Sequence, residues 1–430
     1  MADVSTLSDE ALLDQLQRAA FGYFLQEVNS SNGLVADTSG GGAPVSIAVV
    51  GFALSAYPVA VERCWMTRAE AVERSLAALR FFRDSDQTGS PGATGYKGFY
   101  YHFLDLHTGA RVWQSELSMV DTALLIAGAL TAGMYFHANT SEEIELRELA
   151  EALYCRVDWG WAQDGNAAIV QGWKPECGFL HYGWQGYNEA MALYLLALGS
   201  PTHPLTDDGY KAWTATYQWE NLYGYDFLYA GPLFVHQFSH AWIDFRGIRD
   251  SFMREKRCDY FENSRRATYV QREYARRNPH GFAGYSENCW GLSACDGPGG
   301  KVDEADGVRR RLLAYAARGV PYGPDDGTIA PSAALASLPF APQITLLAVR
   351  HFCEQYPDIL RENRLPSGFN PTLLGEGPAG WISDGNFGLD QGIIVLMIEN
   401  YRSQLIWSLM RDCPYIQRGL RRAGFRGGWL

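Results

Sequence analysis

The chain has 430 residues, of which 47% are hydrophobic and 20% charged, a globular balance with enough length to bury a large core without staples or metals. Its formal net charge is -12, with both signs mixed along the chain, which excludes a protein that works by neutralising nucleic-acid phosphates. No apolar stretch is long enough for a bilayer span, and eight scattered cysteines without a C-x-x-C pair exclude a zinc ribbon or a thioredoxin-type motif.

In chain order, short polar or aromatic loops alternate with unusually apolar helices. The N-terminus, MADVSTLSDEALLDQL, lacks a basic segment followed by an apolar run, so the chain as written reads as cytoplasmic, or periplasmic if a leader has been removed. Residues 46–61 are apolar nearly all round, as are 121–134 and 187–198, the last closed by Gly199-Ser200-Pro201. Further apolar runs start at His236, Pro331 and Leu389. Helices apolar on every face are buried. Between them lie amphipathic, charged helices at 67–84, 141–156 and 258–277. Two segments break the rhythm: 98–113, around Thr108-Gly109, and 161–173, around Asp164-Gly165, both predicted as hairpins. The pattern predicts an all-α, (α/α)6 toroid: one domain over 1–430, a double ring of helices with small hairpin insertions at the cleft end.

Aromatic residues make up 13% of the chain, and many stand in glycine-bearing loops, where flat rings suit the C–H faces of sugars. Glycosidic cleavage needs one acid to protonate the leaving oxygen and a second carboxylate as base or nucleophile. Carboxylates ahead of buried helices are the candidates, because those helix heads converge on one face. Glu189 follows Trp184 and Tyr187 and precedes an apolar helix; it is either such an acid or a first-turn Glu favoured by the helix dipole, with Asn188 as cap. Glu116 and Asp121 lie in WQSELSMVDTALLIAG, where Ser118-x-x-Asp121 also reads as a capping box. Asp384 and Asp390 flank a Gly-rich loop before the run at Leu389. Glu287, Trp290 and Asp296 share the loop YSENCWGLSACDGPGG, and His240 lies in SHAWIDFRG with Asp244 and Arg246. His236-x-x-x-His240 has zinc-ligand spacing but carries Gln237 where H-E-x-x-H has Glu, so neither metal nor cofactor is expected.

Five motifs in order, WQSELSMVDTALLIAG, GWQGYNEAM, FSHAWIDFRG, ENCWGLSACDGP and GLDQGIIVLMIENYRS, resemble the glucoamylase-like bacterial β-1,2-glucanases of glycoside hydrolase family 144. The resemblance runs from about Phe21 to Trp407. It implies an α/α six-fold barrel that hydrolyses β-1,2-glucan or its oligosaccharides through carboxylates and without a metal. Glu189 matches the general-acid position; Asp390, or else Asp121 or Asp384, matches the base that activates water. Alternatives are transglycosylation or phosphorolysis of the same glucan, or glycan binding without catalysis.

Overall fold

The computed structural model describes residues 7–300, 302–303, 310–360, 362, 364–373 and 377–430. They group into two compact units, each assembled from separate segments: 1–23, 218–238 and 261–402 in the first, 24–217, 239–260 and 403–430 in the second.

The second unit is built on three apolar helices. Ile47–Glu62 is buried at every position from Ile47 to Ala60, Met119–Tyr135 from Met119 to Ala132, and Met191–Gly199 throughout. Around them run amphipathic helices. Arg68–Asp84 buries Ala71, Val72, Ser75, Leu76, Ala78, Leu79 and Phe82, the single stripe expected of a helix with one wet face. Its start is a full capping box: Thr67 Oγ1 accepts from the Glu70 amide, and the Glu70 carboxylate accepts from the Thr67 amide at 2.9 Å. Ser141–Arg156 starts behind Thr140, whose side chain accepts from the Glu143 amide, while the Glu143 carboxylate turns away to the Ala138 amide and Arg68.

Two of the buried helices approach until their backbones touch. A Cβ on Gly128 would lie 2.0 Å from the Gly51 carbonyl oxygen, and one on Gly51 would lie 2.3 Å from that of Leu124. Glycine costs a helix interior about 0.5–1 kcal/mol relative to alanine, and this crossing is what the two glycines provide in return.

The first unit carries the Tyr260–Arg277 helix, all but its first residue lying there, and the buried Gly388–Arg402 helix. In it, buried Gln17 donates to the Val395 carbonyl at 3.0 Å and to Glu399 at 2.9 Å. The apolar run from Pro331 does not form one helix. Pro339 has no amide hydrogen to continue the ladder, and Pro342 suits the first turn of a new helix, so the chain breaks into Pro331–Ala336 and Pro342–Gln355. The run from His236 is likewise short: a 3₁₀ turn at Leu233–His236, then Phe238–Trp242. An Asx-type turn follows it, with the Arg246 amide bonded to Asp244 Oδ1 at 3.1 Å.

The sheets are small. A five-stranded antiparallel sheet in the second unit runs in the order Gly95–Tyr96, Phe99–Tyr101, Leu117–Ser118, Gly172–Lys174, Gly178–Phe179. The turn at Thr108-Gly109 forms as expected, with Asp105 N–H donating to the Ala110 carbonyl at 2.7 Å. The hairpin expected over 161–173 does not form. Trp161–Gln163 is a 3₁₀ turn that ends on Asp164 in the left-handed conformation, because the Trp161 ring is drawn inward against Tyr96, Phe99 and Phe179. The actual hairpin lies downstream, Gly172–Lys174 with Gly178–Phe179. No disulfide joins any of the eight cysteines. Among the described residues, no helix is long and apolar enough to cross a membrane.

Candidate active site

The Glu189 loop is held by backbone logic before any chemistry enters. The helix that follows starts at Met191 and has no side-chain cap of its own. Ser239 supplies one from fifty residues away: its hydroxyl accepts from the Ala192 amide at 3.0 Å and donates to the Glu189 carbonyl at 3.2 Å. Asn188 fixes the preceding turn. Its Oδ1 accepts from the Ala190 amide at 3.1 Å and from the Trp213 indole at 3.2 Å, while its Nδ2 donates to the Gln185 carbonyl at 3.1 Å. Glu189 therefore stands ahead of the helix rather than in its first turn, and the dipole reading of this residue loses its geometric basis.

The Glu189 carboxyl is half-buried. Burial pushes its pKa up; a bond within its own residue opposes this, the Asp121 charge adds to it, and the result is about 7. A carboxylic acid that keeps its proton to neutral pH has the property a general acid needs.

Asp121 belongs to a second set of residues gathered by a change of strand partner. Phe99–Tyr101 pairs with Leu117–Ser118, whereas Phe103–Leu104 pairs with Val45–Ser46. His102 stands at the switch, in a bend whose amide donates to the Glu116 carbonyl at 2.9 Å and whose carbonyl accepts from the Ile47 amide at 3.3 Å. Its Nδ1 lies 2.9 Å from Glu116 Oε1 and its Nε2 lies 3.6 Å from Asp121 Oδ2. Burial works to lower the His102 pKa, but Asp121, the Glu116 hydrogen bond and charge, and Asp37 outweigh it and hold it at about 9. The ring is an imidazolium at neutral pH, and it keeps Glu116 below the usual carboxylate range although burial pulls the other way. Asp37 is raised to about 6 by burial, with His102 opposing and Asp121 assisting. Ser118 caps this helix, its Oγ accepting from the Asp121 amide at 3.3 Å and its hydroxyl donating to Asp121 Oδ2 at 2.5 Å, which is the N-cap half of the capping box that the sequence suggested. Asp121 is thus tied at once to its N-cap residue and to His102.

The other residues singled out by sequence are placed as follows. Trp184 is half-buried, its backbone carbonyl held by the Tyr194 hydroxyl at 2.7 Å, and its indole N–H is enclosed without an acceptor among the described residues. Tyr187 stacks on Tyr260 and meets Tyr217 edge-on, within a tyrosine cluster tied to buried Asp250 by the Tyr210 and Tyr260 hydroxyls at 2.8 and 2.7 Å. His240 is buried against Phe245, and its carbonyl accepts from the Trp407 indole at 2.6 Å. In the first unit, Asp390 opens its helix with Oδ1 accepting from Ser332 at 2.9 Å, and Asp296 accepts from Ser383 at 2.8 Å. Asp384 is exposed, Glu287 is a surface residue paired with Arg272 at 3.1 Å, and Trp290 is wholly buried. His236 is held neutral by burial, its pKa lowered to about 4, with Nε2 on the Ala230 carbonyl at 3.1 Å. Among the described residues, no group of three or more His, Cys, Asp or Glu is arranged to hold a metal.

The structure thus brings Glu189, Asp121 and Glu116 into one electrostatic neighbourhood within the second unit, and adds His102 and Asp37, which the sequence reading did not single out. Asp37 obeys the rule that found the others, a carboxylate in a loop ahead of a buried helix. His102 is marked in the sequence only as a histidine inside an aromatic run, Phe99 to Phe103.

A mostly helical chain with small sheets fits the (α/α)6 toroid class, and comparison with solved structures assigns it there. Residues 181–414, more than half of the chain, match the Glycoamylase family, described as "Putative glucoamylase"; the chain belongs to that family. A Bacteroides uniformis protein with the same description is 32% identical, with 99% of each chain covered and a TM-score of 0.87. An endo-β-1,2-glucanase of Chitinophaga pinensis, solved with sophorotriose and glucose, is 26% identical over 99% of this chain and 100% of that one, again with a TM-score of 0.87. An exo-β-1,2-glucooligosaccharide sophorohydrolase (non-reducing end) of Parabacteroides distasonis is 27% identical over 97% of this chain. The chain spans 58% of the length of that curated relative.

Proposed function

We propose that this protein is a glycoside hydrolase that cleaves β-1,2-linked gluco-oligosaccharides or β-1,2-glucan, with Glu189 as general acid. The observation that carries the reading is the Glu189 carboxyl, raised to about 7 at the head of a buried helix, in a chain whose relatives include a β-1,2-glucanase and a sophorohydrolase. Glu189 gives its proton to the glycosidic oxygen as the bond to the anomeric carbon breaks. Glu116, whose pKa the His102 imidazolium holds down, and Asp121 on the other side of that ring supply negative charge suited to an oxocarbenium-like transition state. Asp390 is assigned the base that takes a proton from the attacking water, on the family resemblance and not on geometry. The enclosed Trp184 indole N–H is suited to a sugar hydroxyl. The whole chain acts as one catalytic domain in this proposal, since it passes from one unit to the other after residues 23, 217, 238, 260 and 402.

The test is incubation with linear β-1,2-glucan and separation of products by chain length. Release of sophorose alone means exo action, and a ladder of lengths means endo action. Products that require added phosphate or an acceptor sugar would replace hydrolysis by phosphorolysis or transglycosylation. No cleavage at all would remove the reading.

The pH dependence follows from the same charges. With the proton of Glu189 required, kcat/KM should fall as pH rises through about 7. Asp121 raises that pKa by its negative charge, so Asp121→Asn should move the alkaline limb to lower pH, whatever it does to the height of the profile. A limb that stays in place or moves upward would separate Asp121 from the acid.

A further inference from the structure

Trp113 is 70% exposed. It stands in a loop that is anything but loose. Arg111, buried, donates through Nε to the Ser115 carbonyl at 2.6 Å and forms a two-pronged ion pair with Glu176 at 2.7 and 3.1 Å. The Val112 amide donates to the Phe103 carbonyl at 3.1 Å, the Ser115 amide donates to the Val112 carbonyl at 3.1 Å, and the Phe103 amide donates to the Ser115 hydroxyl at 3.3 Å. Within this frame Trp113 and Gln114 are consecutive non-glycine residues at φ 56 and 49, in the left-handed region. That conformation costs energy for any residue with a Cβ, and such strain concentrates where a side chain must be aimed. Here it aims a large apolar ring at solvent from a strained backbone.

The ring is also the outer end of a series that leads to the acid cluster. Trp113 meets Phe103 with ring centroids 5.1 Å apart, and Phe103 lies flat on His102 at 4.0 Å with 13° between planes. His102 in turn bridges Glu116 and Asp121. An exposed, rigidly aimed aromatic face continuous with a carboxylate cluster suits a ligand that is polar at its rim and apolar on its faces. A β-glucosyl unit has that form, because its equatorial hydroxyls leave axial C–H bonds on both faces of the ring.

Resting on the function proposed above, we infer that Trp113 is a stacking platform for a glucosyl unit of the substrate away from the bond being cleaved. It is a specificity residue for chain length: it holds a distant unit and takes no part in proton transfer. Its benefit belongs to binding and reaches only substrates long enough to cover it.

The experiment is a set of Michaelis–Menten measurements on β-1,2-gluco-oligosaccharides of increasing length with wild type, Trp113→Ala and Trp113→Phe. Melting temperatures serve as the folding control, and they should agree because the side chain is exposed. Wild-type KM should fall as the chain lengthens. Trp113→Ala should raise KM for the longer substrates about 5–10-fold, leave kcat within about two-fold and spare the shortest cleaved substrate, and Trp113→Phe should recover part of the loss. Unchanged KM at every length would overturn the platform while leaving the hydrolase reading intact. An equal loss at every length, or a loss in kcat alone, would also overturn it by placing Trp113 at the scissile bond. Absence of cleavage by the wild type at every length would overturn the hydrolase reading, and the platform with it.

Discussion

Replacing Glu189 by Gln should cut turnover by about 10²–10⁴-fold, the usual contribution of a positioned general acid, with the fold intact. Gln keeps the shape of the side chain, and the loop contacts at this position run through the backbone carbonyl, which Ser239 holds, and through neighbouring Asn188. The same variant has an opposite signature in stability. The folded carboxyl binds its proton more tightly than the unfolded one, with a pKa of about 7 against 4.5. Stability is therefore fully present below about 4.5 and is lost as pH rises through 7, up to about 3 kcal/mol. Gln cannot ionise, so it escapes that loss. Its melting temperature should match the wild type at pH 4 and exceed it at pH 8. A Gln variant with near-normal turnover, or one with no pH-dependent gain, would show that Glu189 sits in ordinary solvent and serves only its loop.

The largest effect on folding should come from Gly128. Alanine is the better helix former by about 1 kcal/mol, so on an isolated helix Gly128→Ala would stabilise. Its methyl would have to occupy a position 2.0 Å from the Gly51 carbonyl oxygen. Backbone on backbone cannot rotate aside, and overpacking of this kind costs about 1–3 kcal/mol and sometimes more. The expected net result is a melting temperature lower by several degrees for Ala and an expressed but unstable or insoluble protein for Val. Gly41→Ala is the control, because a Cβ there meets nothing within 4 Å. If Gly128→Ala melts at or above the wild type, the two helices do not cross as closely as described.

Legibility in the sequence followed the range of the interactions. The helices at Ile47–Glu62, Met119–Tyr135 and Gly388–Arg402 could be read because a run apolar on every face has one stable place, the interior. The place of Glu189 ahead of a buried helix could be read because an aromatic loop and an apolar run adjoin it in the chain. His102 could not, because its orientation comes from pairing of Phe103 with Ser46, far away in sequence. Asp164-Gly165 carries the letters of a hairpin turn, yet tertiary packing of Trp161 onto Tyr96 and Phe99 overrode them. Ser239 was inside a recognised motif, but nothing local announces a cap supplied to another helix. The scattering of Glu287 and Trp290, one at the surface and one in the core, shows that a shared loop does not imply a shared surface.

The borrowed cap also bears on how this site can be transplanted or can diverge. The segment from Trp184 to Gly199 looks like a portable module, with aromatics, acid and helix in one stretch of chain. Grafted alone onto another helical scaffold, it would arrive with its Ala192 amide unsatisfied and the Glu189 carbonyl untethered, since both are completed by Ser239. The heritable unit is a pair of distant segments, and recombination that separates them should yield folded chains that keep the motif and lose the chemistry.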